Sequence, residues 1–270
     1  MLLVHLTDLH FGCADIQALR AASKYIDEQR PDAVIVTGDI SRNGTANELS
    51  AACDWLRSLP APVILTPGNH DVPYFNVWGR MFFPWTRFRR VTAGLRTDVW
   101  ATRQWHIVPI NTARGVQARL NWAQGAIDEG QIKQACDALA RAAPGALRIV
   151  ITHHPLDWPN DAPIHGATIG GASALSRLIA AGAELFLAGH LHFASSRLIG
   201  TQALAITSGT LSLRVRHEPC AFTAIRKPSP DVVEAEVLQV VQGVVQSASV
   251  RRFELNAPMR ATAAELHATS

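Results

Sequence analysis

The sequence predicts an α/β fold in which a second β-sheet packs on the first, with helices flanking them. Three observations carry that prediction. Short apolar runs (LLVHLT, AVIVT, VILTP, RIVIT and ELFLA) alternate with stretches of helical spacing through residues 1–190. Residues 203–254 change texture to alternating apolar and polar positions, the pattern of antiparallel strands making a second sheet. Each of the five apolar runs also ends in a block of Asp, His or Asn, and strand ends of one sheet converge in space.

Residues 1–70 read strand, helix, strand, helix, strand. Ile16, Leu19, Tyr25 and Ile26 share one face of a helix over 14–30, and Leu49, Cys53, Trp55 and Leu56 share one over 45–58. Asn43-Gly44-Thr45 supplies a turn and an N-cap, Glu48 completes a capping box, and Pro60 and Pro62 close the helix. Residues 72–100 have no clean period and form a cap-like excursion over the strand ends. Its aromatic and apolar residues Tyr74, Phe75, Trp78, Met81, Phe82, Phe83 and Trp85 read as core between excursion and sheet. The alternation resumes with WHIVPI, a helix near 128–142 capped by Asp128, RIVIT and a helix at 173–181. Strands follow at 203–208, 219–226, 232–241 and 244–253, the last pair joined by a tight Gln242-Gly243 turn. Residues 1–255 are expected to be a single domain, and 256–270 a polar, Ala-rich tail.

With 270 residues, 48% of them hydrophobic, the chain can bury a substantial core. A net charge of +3 and only 17% charged residues do not make the concentrated basic face of a nucleic-acid binder, so nucleic acid is not expected as a partner. The basic residues that cluster are Arg80, Arg87, Arg89 and Arg90. No apolar run approaches the roughly 18 residues that cross a membrane, and the N-terminus opens into a strand without a leader pattern. Cys13, Cys53, Cys136 and Cys220 form no CxxC pair; they read as buried free thiols in a reducing cytoplasm rather than two disulfides. The expected location is cytoplasmic, and a homodimer stays open.

The blocks are Asp8-Leu9-His10, Gly38-Asp39, Gly68-Asn69-His70-Asp71, His153-His154 and Gly189-His190-Leu191-His192. Any one of them is ordinary turn chemistry; their joint placement at successive strand ends is not. Together they bring carboxylates, an amide and imidazoles, a mixed oxygen and nitrogen set suited to two divalent ions such as Mn, Fe or Zn. Asp39, after a glycine at a central strand end, is the natural bridge. Asp8 and His10 project to one side and can share a metal. His190 and His192 repeat that geometry, Asn69 offers an amide oxygen, and His153 an imidazole. Glycines before Asp39, Asn69 and His190 let the backbone turn sharply beside the ions.

This pattern resembles the calcineurin-like metallophosphoesterase superfamily, whose signature runs DxH, GD, GNH(D/E), H and GHxH. The resemblance spans residues 1 to about 215 with every block intact. It implies a β-sandwich flanked by helices and a dinuclear metal site at strand ends. One metal would be held by Asp8, His10, Asp39 and His192, the other by Asp39, Asn69, His153 and His190. His70, not a ligand, would stabilise the transition state or protonate the leaving oxygen, with Asp71 orienting its ring. His154 would lie behind the ligands or face substrate. Two divalent ions make a bridging hydroxide available near neutral pH; it would attack phosphorus in line, without a covalent intermediate.

Details narrow the ester. Protein Ser/Thr phosphatases carry GDxxDRG and GNHE, whereas here Asp39 precedes Ile40-Ser41-Arg42-Asn43-Gly44 and the third block ends in Asp71. GNHD with HHP is more similar to the branch of bacterial cyclic-nucleotide phosphodiesterases and glycerophosphodiesterases, implying a small phosphodiester substrate. A pyrophosphohydrolase of a UDP-linked lipid A precursor, with the excursion holding acyl chains, and a nuclease are the alternatives. A non-enzymatic scaffold is disfavoured because no ligand is missing. Among Arg80, Arg87, Arg89 and Arg90, at least one is expected to face substrate.

Overall fold

The computed structural model describes residues 1–117, 123–216 and 218–255. The tail at 256–270 lies outside the described residues.

The strands fall into two six-stranded mixed sheets. In the first, β1 (Leu2–Leu6), β2 (Ala33–Val36) and β3 (Val63–Leu65) run parallel. Its other half is the antiparallel meander β10 (Ala221–Ser229), β11 (Val232–Val241) and β12 (Val244–Glu254), with β10 against β1. In the second, β5 (Trp105–Pro109), β6 (Leu147–Ile151), β7 (Leu185–Ala188) and β9 (Ala203–Thr207) are parallel. The antiparallel strands β4 (Trp100–Ala101) and β8 (Ser195–Ile199) close its two edges.

Two findings differ from the sequence expectation. The runs that end in Asp, His or Asn blocks divide between two sheets instead of sharing one. The run at 203–254 does not form a sheet of its own: β9 pairs parallel with β7, while β10–β12 extend the sheet that begins at the N-terminus. Alternating hydrophobicity identifies a strand but not its neighbour, and β1 finds β10 more than two hundred positions away, Leu2 opposite Arg226.

Period-two patterning makes the sandwich. Leu3, Ile35 and Ile64 from one sheet meet Ile107, Ile149, Leu185 and Ile206 from the other, all fully or almost fully buried. The alternate residues Val4, Leu6, Val34, Val36 and Leu65 turn outward onto α1 (Ile16–Gln29) and α2 (Ala46–Arg57). On the far side Val108 and Val150 pack on α5 (Glu129–Leu139) and α6 (Gly171–Ala180). Burying each Leu or Ile contributes about 1.5–3 kcal/mol. The capping boxes are Thr45 with Glu48 on α2 and Asp128 with Gln131 on α5. Gln242 and Gly243 both take positive φ, as a tight hairpin turn requires.

The excursion contains α3 (Val77–Phe82) and α4 (Thr86–Val91). Its aromatic row is not core: Phe75 is 75%, Trp78 73% and Phe83 68% exposed, with Tyr74, Met81 and Phe82 about half exposed. Only Trp85 and the neighbouring Phe88 pack against the α1–α2 layer. Pairing among themselves, Trp78 stacked on Phe82 and Tyr74 edge-on to Phe75, is what these rings do instead. All four cysteines are free; Cys53 and Cys220 are buried, but Cys13 and Cys136 are only half-buried. Among the described residues, no helix is long and apolar enough to cross a membrane.

Candidate metal centre

All five blocks begin just past the carboxyl ends of parallel strands: β1, β2 and β3 from one sheet, β6 and β7 from the other. Strand pairing continues beyond the strands themselves, with Asp8 N donating to Gly38 O (3.1 Å) and His10 N to Asp39 O (2.9 Å). Cross-sheet bonds bring the two edges together: Gly189 N donates to His153 O (2.9 Å), and His190 N to Asp8 Oδ2 (2.9 Å). Three of the block glycines leave no room for a side chain, and a Cβ on Gly38 would sit 2.6 Å from Gly68 N. A Cβ on Gly68 would sit 2.1 Å from Asp39 Oδ1, and one on Gly189 would sit 1.9 Å from Thr7 Oγ1.

The donor atoms form two overlapping groups. His10 Nε2 lies 3.1 Å from His192 Nε2, 3.7 Å from Asp8 Oδ1 and 3.9 Å from Asp39 Oδ2, while His192 Nε2 is 3.1 Å from Asp8 Oδ1. On the other side His153 Nε2 lies 3.3 Å from Asp39 Oδ2 and 3.1 Å from Asn69 Oδ1. His190 joins this side, its ring centroid 5.2 Å from that of His153. Ligand atoms about 2.1 Å from a common ion stand roughly 3–3.5 Å apart, so both groups fit a divalent ion, and Asp39 Oδ2 belongs to both. Asp8 Oδ1 is buried with no donor aligned on it, whereas its Oδ2 accepts from Thr7 Oγ1 and His190 N. Two imidazoles are turned so that Nε2 faces the site: His153 Nδ1 donates to Thr37 O and His192 Nδ1 to Arg214 O, each at 2.7 Å.

The electrostatics are those of a cation site filled by protons. Burial pushes the Asp8 and Asp39 carboxyls up, but neighbouring histidines outweigh it and hold both below the ordinary range. Burial lowers His10 and His190 to about 3, so both stay neutral. His153 behaves oppositely: burial lowers it, yet the Asp39 carboxylate raises it to about 9. Asp8 likewise raises His192 against burial. A ligand must offer its lone pair, so loading metal near pH 7.5 is expected to expel the His153 proton. Mn²⁺ titration calorimetry in two buffers of different ionisation heat measures it. The sign follows from the raised pKa: release is largest below about 9 and vanishes above it, where His153 is already neutral. Equal heats in both buffers at pH 7.5 would count against this assignment.

Several expected site residues lie where the sequence puts them and others do not. His70 reaches the rim of the site, half-buried, its ring edge-on to His10 at 5.0 Å. Asp71 does not orient it. His70 Nδ1 donates to Arg42 O (2.7 Å), whereas Asp71 is fully buried beneath the loop. Asp71 Oδ1 accepts from Ser41 N and Oγ, and Oδ2 from Gly68 N, each at 2.9 Å. Burial, with Asp39 nearby, pushes its pKa up to about 6. Because both oxygens receive donors, Asp71→Asn must turn an NH₂ onto an N–H or O–H. That variant is expected to lose about 1–3 kcal/mol of stability, read from urea unfolding; an unchanged midpoint would show that the loop does not need the second acceptor.

His154 does not face substrate. It is fully buried, with Nδ1 2.9 Å from Thr112 Oγ1 and Nε2 2.8 Å from Ala123 O. Its nitrogens lie near those of His153 and His190, but both are engaged elsewhere. None of the four excursion arginines lines the metal cleft among the described residues. Arg80 is buried with Nε on Gly115 O (2.7 Å), and Arg87 bonds Gly44 O (2.5 Å), so both fasten the excursion to the body. Arg89 and Arg90 are exposed on α4. Instead a cleft of about 400 Å³ over Asp39, Asn69, His190 and His192 is walled by Trp158, His165, Arg214 and Arg216. Arg214 and Arg216 follow β9, a strand parallel to the ligand-bearing ones, and that placement is the signal that could have found them.

A family model described as calcineurin-like phosphoesterase matches residues 1–194. Over 82 residues the chain is 40% identical to the glycerophosphodiester phosphodiesterase GpdQ of Enterobacter lignolyticus (strain SCF1), covering 26% of this chain and 30% of that protein. Over 80 residues it is 29% identical to a probable cyclic nucleotide phosphodiesterase of Synechococcus sp. (strain ATCC 27144 / PCC 6301 / SAUG 1402/1), covering 26% and 31%. The match therefore spans less than a third of either relative. Among solved structures, a dimetal phosphatase from Danio rerio superposes with a TM-score of 0.69 at 14% identity, covering 95% of this chain and 99% of that one. Purple acid phosphatase PPD1 from yellow lupin (Lupinus luteus) seeds gives 0.63 at 13% identity, covering 94% and 53%.

Proposed function

We propose, proceeding from the fact that this chain belongs to the calcineurin-like phosphoesterase family, that it is a phosphodiesterase acting on a small phosphodiester with two divalent ions of the Mn, Fe or Zn class. The observation that carries this reading is Asp39 Oδ2, within 3.3–3.9 Å of a histidine from each donor group and at the floor of an open cleft. Asp8, His10, Asp39 and His192 would hold one ion, and Asp39, Asn69, His153 and His190 the other. Bound ions supply charge against the non-bridging phosphate oxygens and lower the pKa of coordinated water. The chain's own share is geometric: Thr37 O and Arg214 O fix the His153 and His192 tautomers, and Arg42 O aims His70 Nε2 into the cleft. His70 is then placed to protonate the departing oxygen. Residues 1–255 serve as one catalytic domain, because β10–β12 complete the sheet that carries Asp8, Asp39 and Asn69.

Cyclic nucleotides and glycerophosphodiesters are the substrates this reading favours, supported by the names of the two relatives. The exposed aromatic row keeps a second reading, pyrophosphohydrolysis of a UDP-linked lipid A precursor, for the same assay. The test is turnover of bis(p-nitrophenyl) phosphate with Mn²⁺ present and after chelation, followed by a panel of both diester classes, the lipid precursor and single-stranded DNA. No metal-dependent turnover of any diester would overturn the reading.

A further inference from the structure

Arg214 and Arg216 stand on the cleft wall with no ion pair among the described residues. The cleft's described lining contains one carboxylate, Asp39, and it is 1% exposed at the floor. The wall is therefore cationic and the floor holds the ligands. Arg214 is fixed at its base, since its carbonyl accepts from His192 Nδ1 (2.7 Å) and its N–H donates to Ser212 Oγ (3.3 Å). Its guanidinium reaches the other way, 3.1 Å from His70 Nε2.

We infer that Arg214 and Arg216 form a subsite for a second anionic group, a phosphate or carboxylate carried by the leaving alcohol of the diester. This rests on the phosphodiesterase reading above and narrows its substrate. A phosphodiester brings one negative charge, which the floor takes. Guanidiniums on the wall beside His70, where the leaving alcohol departs, are left for a further anion, and their planar forks match phosphate or carboxylate oxygens.

The experiment compares kcat and KM of the Mn²⁺-loaded protein on three glycerophosphodiesters. Glycerophosphoglycerol has a neutral leaving alcohol, its terminal phosphate ester adds a phosphate, and glycerophosphoglycerate adds a carboxylate. Both anionic diesters, or the phosphate one alone, should exceed the neutral one in kcat/KM by about ten-fold or more. Arg216→Ala should raise KM for the preferred anionic diester about ten-fold more than for the neutral one, the size of one charge-assisted contact. Arg216→Lys should restore part of it, and Arg216→Glu should invert the order so that the neutral diester is preferred. Turnover of all three diesters without charge preference, or a preference that survives Arg216→Ala and Arg214→Ala, overturns the subsite while leaving the phosphodiesterase reading intact. Absence of turnover of every diester, bis(p-nitrophenyl) phosphate included, overturns both.

Discussion

Asp39→Asn is expected to strip metal from both sides of the site and to abolish turnover. The substitution is nearly isosteric and keeps an oxygen for His70 N–H, which donates to Oδ1 at 2.8 Å. What it replaces is Oδ2, the atom shared by His153 and His10, by an NH₂ that cannot ligate. Groups that merely orient a ligand are worth about 10–100-fold in metal affinity, so losing a shared ligand should exceed that. The same change removes the charge that raises His153, so the metal-free variant should no longer hold that proton at neutral pH. Metal content after gel filtration, by mass spectrometry, and the Mn²⁺-dependent rate are the two measurements. Two ions per chain with a near-normal rate would mean that Asp39 is not the bridge.

His70→Ala should do the reverse, keeping both ions and losing rate. Among the described residues its ring joins none of the Asp and His groups close enough to share an ion, and the backbone N–H that steadies Asp39 survives in alanine. A positioned acid contributes about 10²–10⁴-fold, and the loss should be larger for an alkyl ester than for p-nitrophenolate, which departs without a proton. An equal loss on both would leave His70 an electrostatic role only. Loss of metal from this variant would move His70 into the ligand set.

The Asp, His and Asn blocks were legible because each joins an apolar run to a glycine or a small polar cluster, a local signal that survives without knowing which strands pair. Thr45 with Glu48 and Asp128 were legible for the same reason: caps are decided within a turn. Sheet membership was not, since the partners of β1 and β9 are chosen by burial across the whole chain. The pair's first member, His153, was legible by resemblance, but the role of His154 was not, because only the fold shows Thr112 and Ala123 claiming both its nitrogens. Composition likewise could not say whether the aromatics of 74–83 face in or out. Arg214 and Arg216 carry no motif; a loop placed them.

Asp8, His10, Asp39, His190 and His192 all hold left-handed backbone, with φ of 53°, 45°, 51°, 69° and 51°. Elsewhere among the described residues only Arg30 and Gln242 do so without being glycine. Such positions cost about 1–3 kcal/mol each, against a net stability for a typical domain of about 5–15 kcal/mol. Five of them in one chain would be made tolerable by the proposed ions, since an ion that binds the folded chain and not the unfolded one adds stability as its supply rises. Abundance in the cell would then follow metal availability: a starved chain opens more often and is degraded sooner. A lineage released from the chemistry would drift toward glycine and asparagine at these five positions, gaining lifetime as it lost the ions.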